Sequence, residues 1–314
     1  LFGIGITVII IETANERLQS RREKVRLIQQ LGSQDNGFAL EAARILRLNG
    51  WLKDGSLKGV NLIHANLKNA LLFDADLAGS YMMWANLENA NLAKAGLKKS
   101  NLFEAKLNKS RLLDATLTEA NLSGAELERA TLLSVNAEKV KLTGSKLPNA
   151  DLSFANLRDA DMRAAILREA KFINAVLEGC DLSLADLSGA KFTNANLKGA
   201  IFNQANLSGA DFTGADIEKA DFTNSVLDVA EITEEQLATV KSLEGVSVEH
   251  PEIRYYYENS EREREENKDM QVSFEYENEM NKRHNYLLNA LRNLSRKEDI
   301  DDSTDLESSG SDSD

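Results

Sequence analysis

A bulky apolar residue recurs at every fifth position of the chain, from Leu57 to Ile232. A small residue, most often Ala, stands two positions before each bulky one, as Ala65 stands before Leu67. A period of five fits neither an α-helix, with about 3.6 residues per turn, nor a β-strand, whose side chains alternate with a period of about 2. The pattern therefore predicts a solenoid in which each five-residue unit forms a short extended side and a turn. Stacked coils would bury the bulky and small residues of all units in one continuous core.

These five-residue units resemble the repeats of a known family. Segments such as Ala65–Asn69, Ala155–Asp159 and Ala210–Gly214 are similar to the A-[DN]-L-x-x unit of pentapeptide-repeat proteins, and the resemblance covers more than half of the chain. It implies an all-β solenoid over residues 52–232, a right-handed quadrilateral parallel β-helix with four pentads in each coil. Residues twenty apart would then be stacked. The period alone does not exclude a triangular coil.

One unit departs from the pattern, and several aromatic residues reinforce it. Ala137 occupies a bulky position, while Val135 and Val140 replace the small residues on either side of it. We expect the larger valines to fill the space that Ala137 leaves, which would be a local change of packing rather than a break in the solenoid. Stacking in steps of twenty also predicts two internal aromatic columns, with Phe172, Phe192 and Phe212 in one and Phe202 and Phe222 in the other.

Polar and thiol groups within the repeats have structural interpretations. The residue just before the bulky one is often Asn or Asp, as at Asn121 and Asp181. Short polar side chains at this point can bond the backbone of a turn, so we predict a structural role for them. Cys180 stands in the column of small inward residues, which predicts a buried side chain rather than a reactive thiol.

The sequence contains none of the residue patterns that mark common catalytic or metal sites. Its three histidines, His64, His250 and His284, lie in separate regions, and Cys180 is the single cysteine. The sequence lacks Cys/His metal-ligand spacings, a Ser-His-Asp set and the glycine-rich phosphate-binding motifs. A solenoid filled by its own side chains also offers no concave pocket. We therefore predict a protein that is not an enzyme, with no catalytic residue, cofactor or metal ion.

The N-terminal segment predicts membrane attachment. Residues 1–11 are apolar and precede a stretch rich in arginine. This order is typical of the end of a transmembrane helix followed by a cytoplasmic juxtamembrane region. Because Leu1 is not an initiator Met, we expect the chain to continue before it. A core helix and the remnant of a signal peptide are the alternatives, and without an anchor the protein would be cytoplasmic.

Residues 12–51 are predicted to form juxtamembrane helices that cap the N-terminal end of the solenoid. The second of these helices is expected over Phe38–Leu48. Its N-cap candidates are Ser33, Asp35 and Asn36. The segment from Leu31 to Gly37, with the residues that follow it, resembles the membrane-proximal linker of bacterial membrane-attached pentapeptide-repeat proteins.

After the last pentad, residues 233–250 predict a cap on the C-terminal end. Thr233, followed three residues later by Gln236, is the pattern of a capping box that opens a helix. Residues 251–314 are rich in Asp and Glu and supply most of the chain's formal net charge of −13. They are predicted to be largely disordered, with an amphipathic helix over residues 277–296. A solubilising tail is the favoured interpretation, and phosphorylation of its serines is the alternative.

Stacking in steps of twenty places several large side chains together on the outside of the solenoid. The predicted interaction patch consists of Ile63, Tyr81, Met83, Trp84 and Phe103. Apolar surface of this kind marks either a contact within the protein or a binding site. The N-terminal helices of the same chain are one candidate cover, and a partner protein or a second copy of the chain is the other. A smaller apolar line marks the opposite face, with Phe73, Leu113, Leu133 and Ile173.

The sequence therefore predicts a membrane-attached, non-catalytic scaffold or protein-interaction module, whose protein partner no motif identifies. Homodimerisation is an alternative, and nucleic acid is not an expected partner. The resemblance also brings a second functional hypothesis, because some pentapeptide-repeat proteins are acidic rods that mimic DNA and protect a type II topoisomerase, gyrase, from inhibitors. Lysines along the repeats, such as Lys98, Lys106 and Lys146, count against an acidic stripe. A secreted effector is the third and weakest hypothesis.

Overall fold

The computed structural model describes residues 2–248. Three helices accompany a solenoid: α1 spans Phe2–Leu31, α2 spans Asn36–Leu48 and α3 spans Glu234–Leu237. The predictions made for the acidic tail, including the helix over residues 277–296, fall outside the described residues, as do two of the three histidines.

The solenoid is built from parallel pairs of residues twenty apart. Asn61 pairs with Tyr81 and Tyr81 with Asn101, and the same register persists, pentad after pentad, as far as Glu231. Backbone hydrogen bonds join the layers, and the N–H of Leu62 donates to the carbonyl of Tyr81 at 2.7 Å. Because each layer is twenty residues long, four pentads make one coil. The triangular alternative, with three pentads per coil, is excluded.

A tight turn separates one pentad from the next. The N–H of Ala65 donates to the carbonyl of Leu62 at 3.0 Å, and His64, the third residue of this turn, has a φ of 58°. Positive φ at the third position is typical of a type II turn. The same position has positive φ in every pentad from Gly59 to Val229. Gly, Asn and Asp tolerate this conformation best, so the larger residues found there carry some strain.

Val229 is a strained turn residue, because its φ is 47° and its side chain is β-branched. Left-handed backbone costs an L-residue about 1–2 kcal/mol, and the short polar side chain of Asn reduces that cost. We expect Val229→Asn to raise the free energy of unfolding by about 1 kcal/mol in urea denaturation. The reverse change Asn174→Val, at a turn position with a φ of 56°, should lower it by a similar amount. A Val229→Asn variant less stable than the parent would contradict this account of turn strain.

Both inward columns of the repeat are buried. The residues at the bulky positions from Leu57 to Ile232 are at most 5% exposed, and small residues such as Ala65 are fully buried. Cys180 is fully buried in the small column. Burial raises the pKa of the Cys180 thiol to about 12, so the thiol stays protonated and unreactive near neutral pH. Its predicted structural role is confirmed.

The predicted aromatic columns are present in the C-terminal half of the core. Phe192 stacks between Phe172 and Phe212, with ring centroids 5.1 and 5.0 Å away. Phe202 stacks on Phe222 at 4.8 Å. The two columns also meet edge to face, since the rings of Phe192 and Phe202 are 6.1 Å apart and inclined by 80°. The columns therefore form one connected aromatic cluster.

The irregular unit around Ala137 leaves the solenoid intact. Val135, Ala137 and Val140 are each 1% exposed, so the core closes around them. Asn136, within the same unit, pairs with residues in the layers on both sides, and the register of twenty is kept. The solenoid is therefore not broken at this unit, as the sequence predicts.

Helices α1 and α2 close the N-terminal end of the solenoid. Asp35 is the N-cap of α2, because its carboxylate accepts the N–H of Phe38 at 3.0 Å. The side-chain amide of Asn36 donates to the carbonyls of Asn66 and Lys68 in the first coil, at 2.9 and 3.0 Å. Apolar residues of both helices join the core of the solenoid: Leu27, Leu31, Ala39, Ala42, Ala43 and Leu46. The end of the core is therefore shielded from water.

Most of α1 extends beyond this capped end. Residues 11–23 are exposed, whereas Leu27 and Leu31, near the end of the helix, are buried. The helix is continuous across residue 11, where the sequence predicts the end of an apolar membrane segment. Within residues 2–248, no helix combines the length and the apolar composition needed to cross a membrane.

The short helix α3 covers one corner of the C-terminal end. Thr233 and Gln236 form the predicted capping box, in which each side chain bonds the backbone N–H of the other residue. The side-chain amide of Gln236 also donates to the carbonyls of Phe212 and Ala215, both at 2.8 Å. In a regular pentad the carbonyl of the small residue accepts an N–H from the next layer, as that of Ala195 does from Asp216 at 2.9 Å, and Gln236 takes the place of this donor for Ala215.

Pairing continues beyond the predicted end of the solenoid at residue 232, but in a shifted register. Asp221 pairs with Ser242 and Val226 with Ser247, so the partners are twenty-one residues apart instead of twenty. The segment that contains α3 is one residue longer than the pentad it replaces. This extra residue shifts the phase of the apolar positions, and the five-residue pattern ends in the sequence before the coil ends in space.

Candidate interaction surfaces

The structure brings the five residues of the predicted patch together on one side of the solenoid. Tyr81 and Trp84 are 50% and 43% exposed, whereas Ile63, Met83 and Phe103 are half-buried. The last three occupy the same turn position in three successive coils. We call these five residues the Trp84 patch. Its large side chains form an exposed apolar surface near the N-terminal end of the rod.

The ring of Trp84 is exposed, yet three neighbours hold it in place. It stacks on His64, with centroids 5.1 Å apart and planes inclined by 15°. Phe103 meets it edge to face at 6.0 Å. The indole N–H donates to Oε2 of Glu104 at 2.8 Å. Because stacking and a hydrogen bond fix its orientation, the ring presents a rigid apolar surface to the solvent.

The N-terminal helices leave the exposed part of the Trp84 patch open. They contact the first coil near Asn66, whose N–H donates to the carbonyl of Ser33 at 2.8 Å. Their apolar residues, such as Leu46, pack on the end of the core instead of on the side of the rod. Tyr81 and Trp84 remain about half exposed. The hypothesis that these helices cover the patch is therefore wrong for these two residues.

A second apolar surface follows the opposite side of the rod. One turn position carries apolar or small residues through six successive coils: Phe73, Ala93, Leu113, Leu133, Ser153 and Ile173. We call these six residues the apolar ridge. Leu71 and Phe154 flank it and are 47% and 59% exposed. Sequence analysis did not assign these two residues to the surface, because they occupy other pentad positions. The available signal was an apolar residue at a position where most pentads have a polar one.

The carboxylates that precede the bulky residues bond the turn backbone, as the sequence predicts. Asp161 accepts the N–H of Arg163 at 3.2 Å, and Asp211 accepts that of Thr213 at 2.8 Å. The hydrogen bond from the Arg163 side chain lowers the pKa of Asp161. Burial acts to raise the pKa of Asp211, but the hydrogen bonds from Thr213 and Thr193 and the charge of Lys191 together outweigh it, and the pKa is lowered. These carboxylates stay ionised and hold turns.

Acid is expected to destabilise the solenoid through these carboxylates. Their pKa in the folded state lies below the unfolded value of about 3.9, so the ionised form favours the fold. Their contribution is fully present above about pH 5 and is lost as the pH falls through about 4 towards the folded pKa. Thermal unfolding between about pH 7 and 2.5 should show this loss. The double variant Asp161→Asn and Asp211→Asn keeps an acceptor oxygen at both turns but removes the two titratable groups. Its melting temperature should therefore fall less in acid than that of the parent. An equal fall would contradict this role of the two carboxylates.

The described part of the chain has no arrangement suited to a metal ion. Within residues 2–248, no group of three or more His, Cys, Asp or Glu side chains lies close enough to bind one. His64 stacks on Trp84, and Cys180 is inside the core. The features that stand out on the rod are therefore its two apolar surfaces.

Comparison with known sequences finds pentapeptide repeats throughout the solenoid. The profile described as "Pentapeptide repeats" matches in eight copies, within residues 56–92, 80–112, 95–132, 110–149, 138–172, 165–204 and 190–228. These matches cover more than half of the chain. No curated protein matches it.

Several solved structures are similar to the chain. HetL, a pentapeptide repeat protein involved in heterocyst differentiation regulation from the cyanobacterium Nostoc sp. strain PCC 7120, is 30% identical, with 58% of this chain and 94% of HetL covered and a TM-score of 0.23. A pentapeptide repeat protein of the Arabidopsis thaliana thylakoid lumen is 36% identical. The match covers 30% of this chain and 69% of the Arabidopsis chain, with a TM-score of 0.26. The plasmid-mediated fluoroquinolone resistance protein QnrB1 is 21% identical. The match covers 51% of this chain and 91% of the QnrB1 chain, with a TM-score of 0.33.

Proposed function

The chain belongs to the pentapeptide repeat family, and from this premise we propose that it is a non-catalytic scaffold that binds a protein partner through the Trp84 patch. Membership in the family implies a right-handed quadrilateral β-helix. Such a rod is filled by its own side chains and offers flat faces for contacts. The proposal concerns one of these faces, near the N-terminal end.

The proposal rests on the ring of Trp84, which is exposed to solvent but already held in one orientation by its neighbours. Binding normally costs about 0.5–1.5 kcal/mol for each side chain that becomes immobilised. His64, Phe103 and Glu104 already hold the Trp84 ring. Binding a partner therefore adds little to the free-energy cost of immobilising this side chain. Trp and Tyr are also the residues most enriched among those that dominate binding energy. The patch combines both with the flexible apolar side chain of Met83.

A matched pair of variants tests this site. Trp84→Ser removes the ring, while Leu184→Ser removes an exposed apolar side chain at the same turn position and on the same side of the rod, five coils away. Each variant and the parent would be used as bait in a lysate of the source organism, and bound proteins quantified by mass spectrometry. We expect at least one protein to fall about tenfold or more with Trp84→Ser and to be unchanged with Leu184→Ser. Equal recovery from all three baits would contradict the proposal.

Two further measurements separate the alternatives. If Trp84→Ser lowers the melting temperature as much as a core substitution does, the patch serves stability and not association. If the protein captured is the chain itself, sedimentation of the purified protein should show a concentration-dependent dimer that Trp84→Ser dissociates. A dimer of this kind would make the patch a homodimer interface and would replace the heterologous partner in the proposal.

We also propose that the N-terminal segment attaches the protein to a membrane, with the repeats on the cytoplasmic side. Support comes from the exposed part of α1, which extends beyond the rod and carries Arg17, Arg21 and Arg22 at exposed positions. Basic residues beside an anionic bilayer contribute about 1 kcal/mol each. The apolar residues before them would enter the hydrocarbon region or its interface.

Vesicle flotation tests this attachment. Full-length protein should float with vesicles that contain about 30% phosphatidylglycerol and less with pure phosphatidylcholine, because the arginines are attracted to negative headgroups. Charge reversal at Arg17, Arg21 and Arg22 should abolish the difference. The same reversal at Arg44 and Arg47 of α2 is the control and should leave it unchanged. Protein that does not float with either vesicle would contradict membrane attachment.

The DNA-mimic hypothesis has less support from the rod surface. A mimic of this type needs carboxylates in an unbroken acidic stripe, but several carboxylates here pair with a basic residue in the next coil. Examples are Lys68 with Glu88 at 2.8 Å, Arg158 with Glu178 at 2.7 Å and Lys198 with Glu218 at 2.9 Å. Protection of gyrase from a fluoroquinolone in a supercoiling assay would nevertheless reinstate it.

A further inference from the structure

Helix α1 carries a narrow stripe of exposed apolar residues. Ile11, Leu18 and Val25 are spaced seven residues apart and are 53%, 50% and 57% exposed. Seven residues make almost two turns of an α-helix, so the three side chains lie within about 20° of one line along its surface. This line is about 21 Å long at 1.5 Å per residue. We call these three residues the α1 stripe.

The rest of the molecule holds α1 by its opposite side. Leu27, which lies about 180° around the helix from Leu18, is buried in the core at the end of the solenoid. Nζ of Lys24 donates to Asp54 at 2.6 Å and to Ser56 at 3.2 Å. These contacts fix the rotation of α1 about its own axis. The α1 stripe therefore faces away from the solenoid.

Arginines flank the α1 stripe on both sides. Measured around the helix from Leu18, Arg21 and Arg22 lie about 60° and 40° away, on opposite sides. Arg17 and Arg26 lie about 100° and 80° away, again one on each side. All four are exposed. The glutamates of the same segment lie about 120° or more from Leu18: Glu12, Glu16 and Glu23. The charges nearest to the stripe are therefore positive.

This charge pattern argues against a second copy of α1 as the cover of the stripe. In a coiled coil, the residues beside the apolar seam face the same positions of the partner helix and decide which helices pair. Two copies of α1 would bring arginine towards arginine in a parallel and in an antiparallel pair. A bilayer with anionic lipids matches the pattern instead, because it presents negative headgroups above an apolar layer.

We propose that α1 lies flat on an anionic bilayer, with the three stripe residues below the headgroups and the flanking arginines at the lipid phosphates. This inference rests on the proposed membrane attachment and names the surface of the protein that makes the contact. Arginine suits the position, because its stem packs on apolar surface while its guanidinium binds phosphate oxygens in a bidentate manner. Since the stripe faces away from the solenoid, the repeats lie on the aqueous side of α1.

A flat helix differs measurably from an upright one. In an upright arrangement α1 leaves the bilayer end-on, so the depth of each residue depends on its place in the sequence alone. In a flat arrangement the depth follows the helical period. Residues on opposite sides of α1 then differ in depth although they are close in sequence, whereas Ile11 and Val25 lie equally deep.

Spin labelling of the full chain on anionic vesicles distinguishes these arrangements. Cysteine at each of the three stripe positions places a nitroxide on the stripe, and Thr13→Cys and Ser20→Cys are the matched controls on the opposite side of α1. The native Cys180 is fully buried and stays protonated, so it does not take up the label. We expect the stripe labels to collide more with oxygen, which concentrates in the acyl region, and the control labels to collide more with a water-soluble nickel complex.

Three outcomes would overturn the flat arrangement while leaving membrane attachment intact. Depth that decreases steadily from residue 11 to residue 25, on both sides alike, would mean that α1 is upright. Five labels in water, on protein that floats with the vesicles, would place the attachment elsewhere in the chain. Spin–spin broadening between labels at residue 18 of two molecules would mean that a second copy covers the stripe. Protein that does not float at all would contradict the attachment and this arrangement together.

Vesicle binding of a stripe variant gives an independent measurement. Leu18→Ser should weaken binding of the full chain to anionic vesicles about tenfold, because a buried leucine side chain is lost from the apolar contact. Leu184→Ser is the matched control, since this leucine is 59% exposed on the rod, and it should leave binding unchanged. Equal binding of Leu18→Ser and the parent protein would also overturn the proposal.

Discussion

Replacing Phe192 with Ala is expected to lower the free energy of unfolding by about 3–5 kcal/mol. The side chain is fully buried and contacts three other rings, with stacked centroids at 5.1 Å from Phe172 and 5.0 Å from Phe212. It also meets Phe202 edge to face at 6.1 Å. Removing the ring forfeits its transfer free energy and the contacts of both columns, and it leaves a cavity that neighbouring layers cannot fill.

Guanidinium denaturation followed by circular dichroism measures this effect. Phe154→Ala is the control, because that ring is 59% exposed, and its removal should change stability by less than about 0.5 kcal/mol. Contacts in a solenoid are local, so hydrogen exchange should accelerate mainly in the coils next to Phe192. A loss below about 1 kcal/mol for Phe192→Ala would contradict the aromatic cluster.

Restoring the regular pattern at Ala137 is expected to destabilise the protein by about 1–3 kcal/mol, although Leu is the common residue at this position. Val135, Ala137 and Val140 are each 1% exposed, and we expect the two valines to occupy the space that a larger side chain at residue 137 would need. Ala137→Leu alone therefore overfills this layer. The effect has the opposite sign to the one that the repeat pattern by itself would suggest.

The same layer offers a test of the physical cause. The triple variant Val135→Ala, Ala137→Leu and Val140→Ala should recover most of the loss, because it returns the small–large–small order of the other pentads. The stability of the triple variant should therefore exceed the sum of the separate effects by about 1 kcal/mol or more in urea denaturation. Additive effects would mean that the three side chains do not share one space.

The repeat itself could be predicted from the sequence, because its period is set by one bulky and one small residue in every pentad. The stacking of Phe172 on Phe192 followed from the same period once a coil of twenty residues was assumed. The shifted pairing of Asp221 with Ser242 could not be predicted. A single extra residue at α3 moves the apolar positions out of phase, and only the backbone geometry shows that the coil resumes.

The interaction surfaces were predicted less completely than the fold. The Trp84 patch followed from the stacking rule, since exposed positions twenty apart share a column. The hydrogen bond from Trp84 to Glu104 could not be inferred, because it depends on the rotamers of two exposed side chains. The mutual position of the helices and the patch also needed the structure, because the apolar faces of α1 and α2 fit the end of the core as well as its side.

The number of residues in one coil is the central claim, since both apolar surfaces follow from it. Asn101 pairs with Asn121, whose side-chain amide donates to Oδ1 of Asn101 at 3.2 Å. Paired strands lie about 4.8 Å apart, within the Cα separation of about 4.4–6.8 Å that a disulfide requires. The most direct measurement compares oxidation of Asn101→Cys with Asn121→Cys against Asn101→Cys with Thr116→Cys. A coil of four pentads predicts a disulfide in the first pair and none in the second, and a disulfide in the second pair alone would show a coil of three pentads and contradict the account.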